Sequence, residues 1–133
     1  MIILDTHALV WMDAGDSSLG KRTIQTVDQA LADDSLAVSA ISFWEVGMLV
    51  NKGRLSMDFP PDVWRSDLLS RGLIELPMDG KAGIDAANLR NFHGDPADRI
   101  IVATTILTGS SLVTADEKIL NWEGLAQKVD ARH

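Results

Sequence analysis

Four acidic residues lie at predicted strand ends, at a helix start or on an apolar helix face, where a carboxylate usually needs a partner. They are Asp5, Glu45, Asp98 and Asp116. Several carboxylate oxygens that converge on one point suit a hard divalent cation such as Mg²⁺ or Mn²⁺. An ion of this kind lowers the pKa of a bound water and stabilises the attacking and leaving oxygens during hydrolysis. These residue types therefore predict metal-assisted cleavage of a phosphodiester, if the fold brings them together.

Two of the acids, Asp5 and Asp116, follow short apolar runs. Bounded apolar runs are typical of buried strands of a parallel sheet, and ligands bind at the carboxyl ends of such strands. Each acid also has a structural alternative. Asp5 could only cap the next helix. Thr114 and Glu117 fit a capping box around Asp116, which leaves Asp116 itself without a role in the box.

Glu45 lies on a predicted helix, between Ile41 and Leu49 on its apolar face. A buried carboxylate is costly unless it is paired or binds a metal ion. An ion pair or exposure at the rim of the apolar stripe is the alternative. The position favours a functional acid in the middle of an otherwise apolar surface.

Asp98 lies at a predicted helix start, where Asp95 is suited to the N-cap and Pro96 to the first helical position. The helix dipole favours acids there, so capping alone does not distinguish Asp95 from Asp98 as the working acid. We expect Asp98 to face inward, because it lies in the first turn on the side that leads to Ile101 and Val102.

Strands and helices alternate along the chain, which is the pattern of a parallel α/β sheet. The apolar runs predict strands at 1–4, 36–39, 73–76 and 112–114, with a fifth edge strand at 128–130. Helical periodicity predicts helices at 6–13, from Ser18 onward with Ile24, Val27 and Leu31 inward, and at 41–52, 61–69, 79–89, 95–109 and 116–122. The carboxyl ends of the strands would then gather the acids at one edge.

Composition sets the class of protein. The 133 residues include 46% apolar residues and no cysteine, which predicts one globular domain over 1–133 without disulfides or thiolate metal sites. No signal peptide or membrane helix is evident, so we expect a cytoplasmic protein without a membrane partner. The net charge of −7 disfavours a nucleic-acid partner unless metal ions mediate the contact.

The acids occur within motifs that resemble those of PIN-domain ribonucleases, and within that family the VapC toxins of toxin–antitoxin pairs. The resemblance spans nearly the whole chain. It rests on Leu4-Asp5-Thr6-His7 with Trp11, on Ser39-Ala40-Ile41-Ser42 leading to Trp44-Glu45, on His93-Gly94-Asp95-Pro96-Ala97-Asp98-Arg99, and on Leu112-Val113-Thr114-Ala115-Asp116.

This resemblance implies a three-layer α/β/α sandwich with a central, mainly parallel five-stranded sheet. It implies an endoribonuclease dependent on Mg²⁺ or Mn²⁺, whose metal ligands are Asp5, Glu45, Asp98 and Asp116. It also implies a cognate VapB-like antitoxin that inserts a segment into the cleft, and a homodimer. None of the four acids departs from the family pattern, so nothing marks this copy as inactive.

The resemblance assigns supporting roles less directly. Thr6 and Thr114 would steady ligands or water, and Arg99 could meet substrate phosphate or form a structural pair. His7 and His93 could act in catalysis or simply form hydrogen bonds. Four apolar side chains could line a groove for an antitoxin helix or belong to the core: Trp11, Trp44, Met48 and Trp64.

Two other functions compete with the endoribonuclease. The domain could be catalytically weak and act mainly as the antitoxin-binding half of an autoregulatory, DNA-bound complex. A phosphoryl-accepting receiver or aspartyl phosphatase is a different class, but its patterns require further acids beside Asp5, where this chain has Thr6 and His7. Replacement of Asp5 or Glu45 by Ala and an assay on RNA separates the first two functions.

Overall fold

A five-stranded sheet forms the centre of the computed structural model, which describes residues 1–133. Its strands are β1 (Ile2–Leu4), β2 (Leu36–Ser39), β3 (Ile74–Leu76), β4 (Ser111–Thr114) and β5 (Lys128–Asp130). The strand order is β3-β2-β1-β4-β5, and all four pairings are parallel. The predicted α/β/α architecture, including the edge strand β5, is confirmed.

Seven helices flank this sheet. They are α1 (Thr6–Ala14), α2 (Lys21–Ala32), α3 (Ala40–Asn51), α4 (Pro61–Ser70), α5 (Gly80–Ala87), α6 (Pro96–Leu107) and α7 (Glu117–Leu120). No helix has both the length and the apolar character needed to cross a membrane.

Alternate residues of each central strand point into different cores, because successive side chains of a strand lie on opposite faces. Leu4, Val38 and Val113 belong to the larger cluster, which includes residues from α1, α2 and α4. Their neighbours, Ile3 and Leu112, join a second cluster with residues of α6 and α7. Burial on both faces explains why the strands are apolar throughout instead of alternating with polar residues.

The second helix begins later than predicted. It starts at Lys21 rather than Ser18, because the Asp16 side chain accepts the N–H of Ser18 in a turn. Gly20 then donates its N–H to the carbonyl of Ala131, far along the chain. Val27 is buried as expected, but Ile24 is 39% exposed. The inward face of α2 is therefore rotated relative to the prediction.

The chain changes direction across the sheet next to β1. It first builds β2 and β3 on one side of β1, and then crosses to place β4 and β5 on the other. Such a switch point leaves a crevice at the carboxyl ends of the strands, where ligands bind in open α/β sheets. The residues that follow β1 and β4, among them Asp5 and Asp116, border this crevice.

Candidate metal centre

Asp5 serves two structural functions at the end of β1. Its Oδ1 accepts the N–H of Ala8 at 2.8 Å and caps α1, while its Oδ2 accepts the hydroxyl hydrogen of Thr114. The side chain is buried, with 5% exposure. Burial raises the pKa of Asp5, and the two hydrogen bonds oppose that rise. The capping role is thus compatible with a carboxylate held inside the crevice.

Thr114 connects the ends of β1 and β4. Besides donating to Asp5, its Oγ1 accepts the backbone N–H of Asp116 at 3.1 Å. The predicted capping box of Thr114 and Glu117 is wrong, because Thr114 lies in β4 and Asp116 itself caps α7 by accepting the N–H of Lys118 at 2.8 Å. Asp116 therefore has its own structural role, like Asp5.

Glu45 reaches the same edge from α3. Its Oε1 accepts the hydroxyl hydrogen of Thr6 in a short hydrogen bond, and Thr6 Oγ1 also lies 3.0 Å from Ser42 Oγ. Burial raises the pKa of Glu45, and the hydrogen bond from Thr6 opposes the rise. Sequence reasoning did not select Ser42, although it precedes Glu45 by three residues and so shares its helix face.

Asp98 lies in the first turn of α6, where Asp95 is the N-cap and accepts the N–H of Asp98 at 3.1 Å. The Asp98 side chain is only 18% exposed. Burial, followed by negative charge on neighbouring carboxylates, raises its pKa to about 8; those neighbours are Asp95, Asp116, Glu45 and Asp5. Acids from four separate parts of the chain therefore lie near enough to contribute to the negative charge around Asp98.

His93 lies beside this cluster. Its Nδ1 accepts the backbone N–H of Asp95 at 3.4 Å, which leaves Nε2 to carry the ring hydrogen. Nε2 is buried 3.3 Å from Asp98 Oδ2 without the alignment of a hydrogen bond, and it has no other partner. Possible ligand atoms of His93, Asp98 and Asp116 lie within 4.8 Å of one another, in a group that does not include Asp5 or Glu45. The sequence alone leaves a role for His93 in catalysis open.

Arg99 follows Asp98 but its guanidinium points at main-chain carbonyls. Its five N–H groups donate to the carbonyl oxygens of Ala86, Ala87, Leu89, Phe92 and His93 at 3.0 to 3.2 Å. An arginine has five such donors, so all are used. Arg99 therefore ties the end of α5 to the loop that carries His93 and Asp95.

The four apolar side chains predicted to line a groove or belong to the core differ in their exposure to solvent. Trp64 is buried, Trp11 and Met48 are half-buried, and Trp44 is 57% exposed. A cavity of about 400 Å³ lies between α1 and the α3–α4 connection, and its walls include Val10, Leu55, Met57, Phe59 and Trp64. Trp64 thus belongs both to the core and to the wall of an open cavity.

Comparison with known proteins identifies the family to which the chain is similar. Residues 2–124 match the PIN domain family. The chain is 33% identical to Ribonuclease VapC22 of Mycobacterium tuberculosis over 118 residues, which is 89% of this chain and 88% of that protein.

Solved structures share the fold at lower identity. VapBC2 from Rickettsia felis, bound to a DNA fragment from its promoter, is 19% identical with a TM-score of 0.70, over 98% of this chain and 100% of that one. FitAcB from Neisseria gonorrhoeae is 20% identical with a TM-score of 0.68, over 100% and 99%. With the parallel sheet and the family match together, this chain belongs to the PIN-domain family, in its VapC branch.

Proposed function

We propose that this protein is the toxin of a type II toxin–antitoxin system and an endoribonuclease dependent on Mg²⁺ or Mn²⁺. The observation that carries the proposal is the convergence of acids around Asp98. Burial and the negative charge of the neighbouring acids raise the pKa of Asp98 to about 8. The similarity of this chain to a protein named as a VapC ribonuclease supports RNA as the substrate.

The residues present fit a divalent cation. The cluster offers carboxylate oxygens, the ligands that Mg²⁺ and Mn²⁺ prefer. Without a cation the site is electrostatically unfavourable, because burial and the charges of the neighbouring carboxylates raise the pKa of Asp98 to about 8. A positive charge among the acids would reverse the electrostatic effect. We assign the metal ligands as Asp5, Glu45, Asp98 and Asp116.

When bound, the metal ion would supply an activated water and a positive charge for the phosphodiester. The protein's part is to hold the ligands rigidly. Thr114 fixes Asp5 through Oδ2, and Thr6 fixes Glu45 through Oε1. Arg99 orders the loop before α6, and Asp95 secures the first turn that carries Asp98. Preorganised ligands reduce the reorganisation needed at the moment of reaction.

The test of this function is cleavage of total RNA by the purified protein. We expect Mg²⁺ or Mn²⁺ to restore cleavage after treatment with EDTA, and Asp5→Asn or Glu45→Gln to lower it by about a hundredfold or more. Asp58→Asn is the matched control, because Asp58 is an exposed loop carboxylate. Undiminished cleavage by both acid variants would exclude the assignment.

An antitoxin partner is the second part of the proposal. The solved relatives are described as toxin–antitoxin complexes. Phe59 and Val63 are exposed apolar residues beside Trp64, at or near the 400 Å³ cavity, and such patches mark binding sites. We expect Phe59→Ser to weaken copurification with the small protein encoded by a neighbouring gene, without affecting cleavage of RNA by the isolated toxin.

The remaining features follow from the family. We propose one domain over residues 1–133, a homodimer, and a cytoplasmic location where RNA and the antitoxin are available. Exposed Trp44 and Ile84 offer apolar surface that a second subunit could cover. Light scattering of the isolated protein measures the dimer directly.

A weakly catalytic domain that acts within a DNA-bound complex is the second candidate, since two structures of this fold were solved with DNA bound, and one of these DNAs is a promoter fragment. The net charge of −7 means that most DNA contacts would come from the antitoxin. Promoter binding that persists in acid variants, together with RNA cleavage that is absent in the wild type, would favour this candidate.

A further inference from the structure

A cavity of about 250 Å³ adjoins the acid cluster, because Asp116 forms part of its wall. Its other lining residues are His7, Trp11, Ala115 and Arg132. His7 also lies near Asp5 and Glu45, since a positive charge on its ring would oppose the rise that burial causes in the pKa of both acids. The cavity therefore borders the candidate metal centre on the side of α1 and the segment after β5.

Arg132 is fixed at this cavity but is not neutralised. Its Nη1 donates to the carbonyl of Ala115 at 2.9 Å, and its guanidinium carbon lies 5.7 Å from the centre of the Trp11 ring, within range of a cation–π interaction. It forms no ion pair with a carboxylate, and its Nε and Nη2 donate to no protein atom. The guanidinium of this exposed residue is thus held by these two contacts and keeps free donors.

The backbone around Arg132 is also held in place. Ala131 is fully buried and its carbonyl accepts the N–H of Gly20 at 2.9 Å. The N–H of Arg132 donates to Asp130 Oδ1 at 2.9 Å. A Cβ on Gly20 would lie 1.9 Å from the carbonyl carbon of His133, so only glycine allows this close approach. The position of the arginine is therefore set by tertiary structure.

A second cationic side chain near the cluster cannot take this role. All five N–H groups of the Arg99 guanidinium already donate to main-chain carbonyls. A phosphodiester chain that approaches several carboxylates needs positive charge at their border, and a guanidinium matches the geometry of phosphate oxygens. Arg132 has that geometry, with donors still available.

We infer that the cavity at Arg132 binds a phosphate of the RNA substrate beside the one that is cleaved, with Trp11 holding the guanidinium. This inference rests on the proposed function, because it takes RNA as the ligand. The cavity is smaller than the roughly 300 to 1,000 Å³ of a pocket that encloses a whole small molecule. It therefore suits one phosphate unit of a polymer.

The test measures binding of labelled oligouridylate over a range of salt concentrations, in the Glu45→Gln background so that the RNA stays intact. Arg132→Gln removes the charge but keeps an N–H group for the Ala115 carbonyl. We expect it to weaken binding on the order of tenfold and to reduce the slope of log affinity against log salt by about 0.7, the value for one phosphate contact in a single strand. A purely structural arginine would leave that slope unchanged.

Two further variants complete the design. Arg132→Lys should retain the salt slope while losing part of the affinity, since it keeps the charge without the planar fork. Arg54→Gln removes an exposed arginine that does not line the cavity and should change neither quantity. Urea unfolding of each variant checks the fold. If Arg132→Gln unfolds, the test is the affinity of Arg132→Lys for oligouridylate at unchanged stability, and an affinity equal to that of the wild type would overturn the inference.

The outcomes separate this inference from the proposed function. Cleavage of total RNA by the wild type with an unchanged salt slope in Arg132→Gln would overturn the inference alone. Absence of oligouridylate binding by the Glu45→Gln protein would overturn it as well. Loss of antitoxin affinity without loss of RNA affinity would assign the cavity to the protein partner instead. Failure of the wild type to cleave any RNA would count against the proposed function, while the salt slope still reports on Arg132.

Discussion

Replacing Asp98 by Asn should stabilise the protein when no metal ion is present. Burial and the neighbouring acids raise the pKa of Asp98 to about 8, whereas the unfolded chain releases this proton near the ordinary value of 3.8. Between these values the unfolded chain binds fewer protons than the folded protein. The free energy of unfolding therefore falls as pH rises, and Asn at position 98 removes that dependence.

The size of the effect follows from the shift. Each pH unit between the two pKa values lowers the free energy of unfolding by about 1.4 kcal/mol, which gives an upper limit of about 4 kcal/mol at neutral pH. Salt screening and the partial exposure of the site reduce this. We expect Asp98→Asn to gain about 2 kcal/mol at pH 7 in EDTA, or roughly 6 to 10 °C in Tm.

The assay is urea unfolding of wild type and variant in EDTA at pH values from 5 to 8. The advantage of Asp98→Asn should grow with pH, and Mn²⁺ should reverse the order because only the wild type binds the ion well. Asp58→Asn, which removes one charge outside the cluster, should show no such growth. An Asp98→Asn protein that is no more stable than the wild type, or whose advantage is equal at pH 5 and pH 8, would refute repulsion within the cluster.

Three further variants probe the residues that hold the acids. Thr114→Val should lower RNA cleavage at least tenfold by releasing Asp5 Oδ2, whereas Thr114→Ser keeps the hydroxyl and should remain near wild type; equal activity of the two would contradict the role. His93→Gln retains a donor near the Nε2 position, whereas His93→Asn retains only the contact of Nδ1. We expect His93→Gln to bind Mn²⁺ more tightly, as measured by calorimetry. Tighter binding by His93→Asn would exclude a contact between His93 and Asp98. Arg99→Lys should lower the free energy of unfolding by about 3 kcal/mol, measured in urea, because Lys cannot satisfy five carbonyls; a loss below about 1 kcal/mol would show that the carbonyls find other donors.

Local patterns predicted most of the fold. The strand at Leu36–Ser39 and the edge strand at Lys128–Asp130 were predicted with the observed bounds, because short apolar or alternating runs between breakers leave little choice. The order of the strands could not be predicted from these patterns. An apolar run indicates that a strand is buried on both faces. The side on which β4 joins β1 depends instead on crossovers and helix packing.

The acids were selected by the same local logic, and the structure brings them to one edge of the sheet. The residues that hold the acids in place could not be predicted in the same way, because they act through contacts between distant parts of the chain. Thr114 reaches back to Asp5 across 109 positions of the chain, and Arg99 donates to carbonyls as far back as Ala86. The start of α2 also involves a distant contact, since the N–H of Gly20 donates to the carbonyl of Ala131. No periodicity records such contacts.

The pairing of β1 with β4 has a consequence for biosynthesis. Asp5 leaves the ribosome among the first residues, but Asp116 and Thr114 follow only near the end of the chain. At about 5 to 20 residues per second, the interval is on the order of 5 to 20 seconds. During this time the unfinished chain holds only part of its acid cluster, and Asp5 lacks the hydroxyl that orients it. The proposed nuclease site can therefore form only after β4 has left the ribosome, so an unfinished chain of this topology would not cleave RNA.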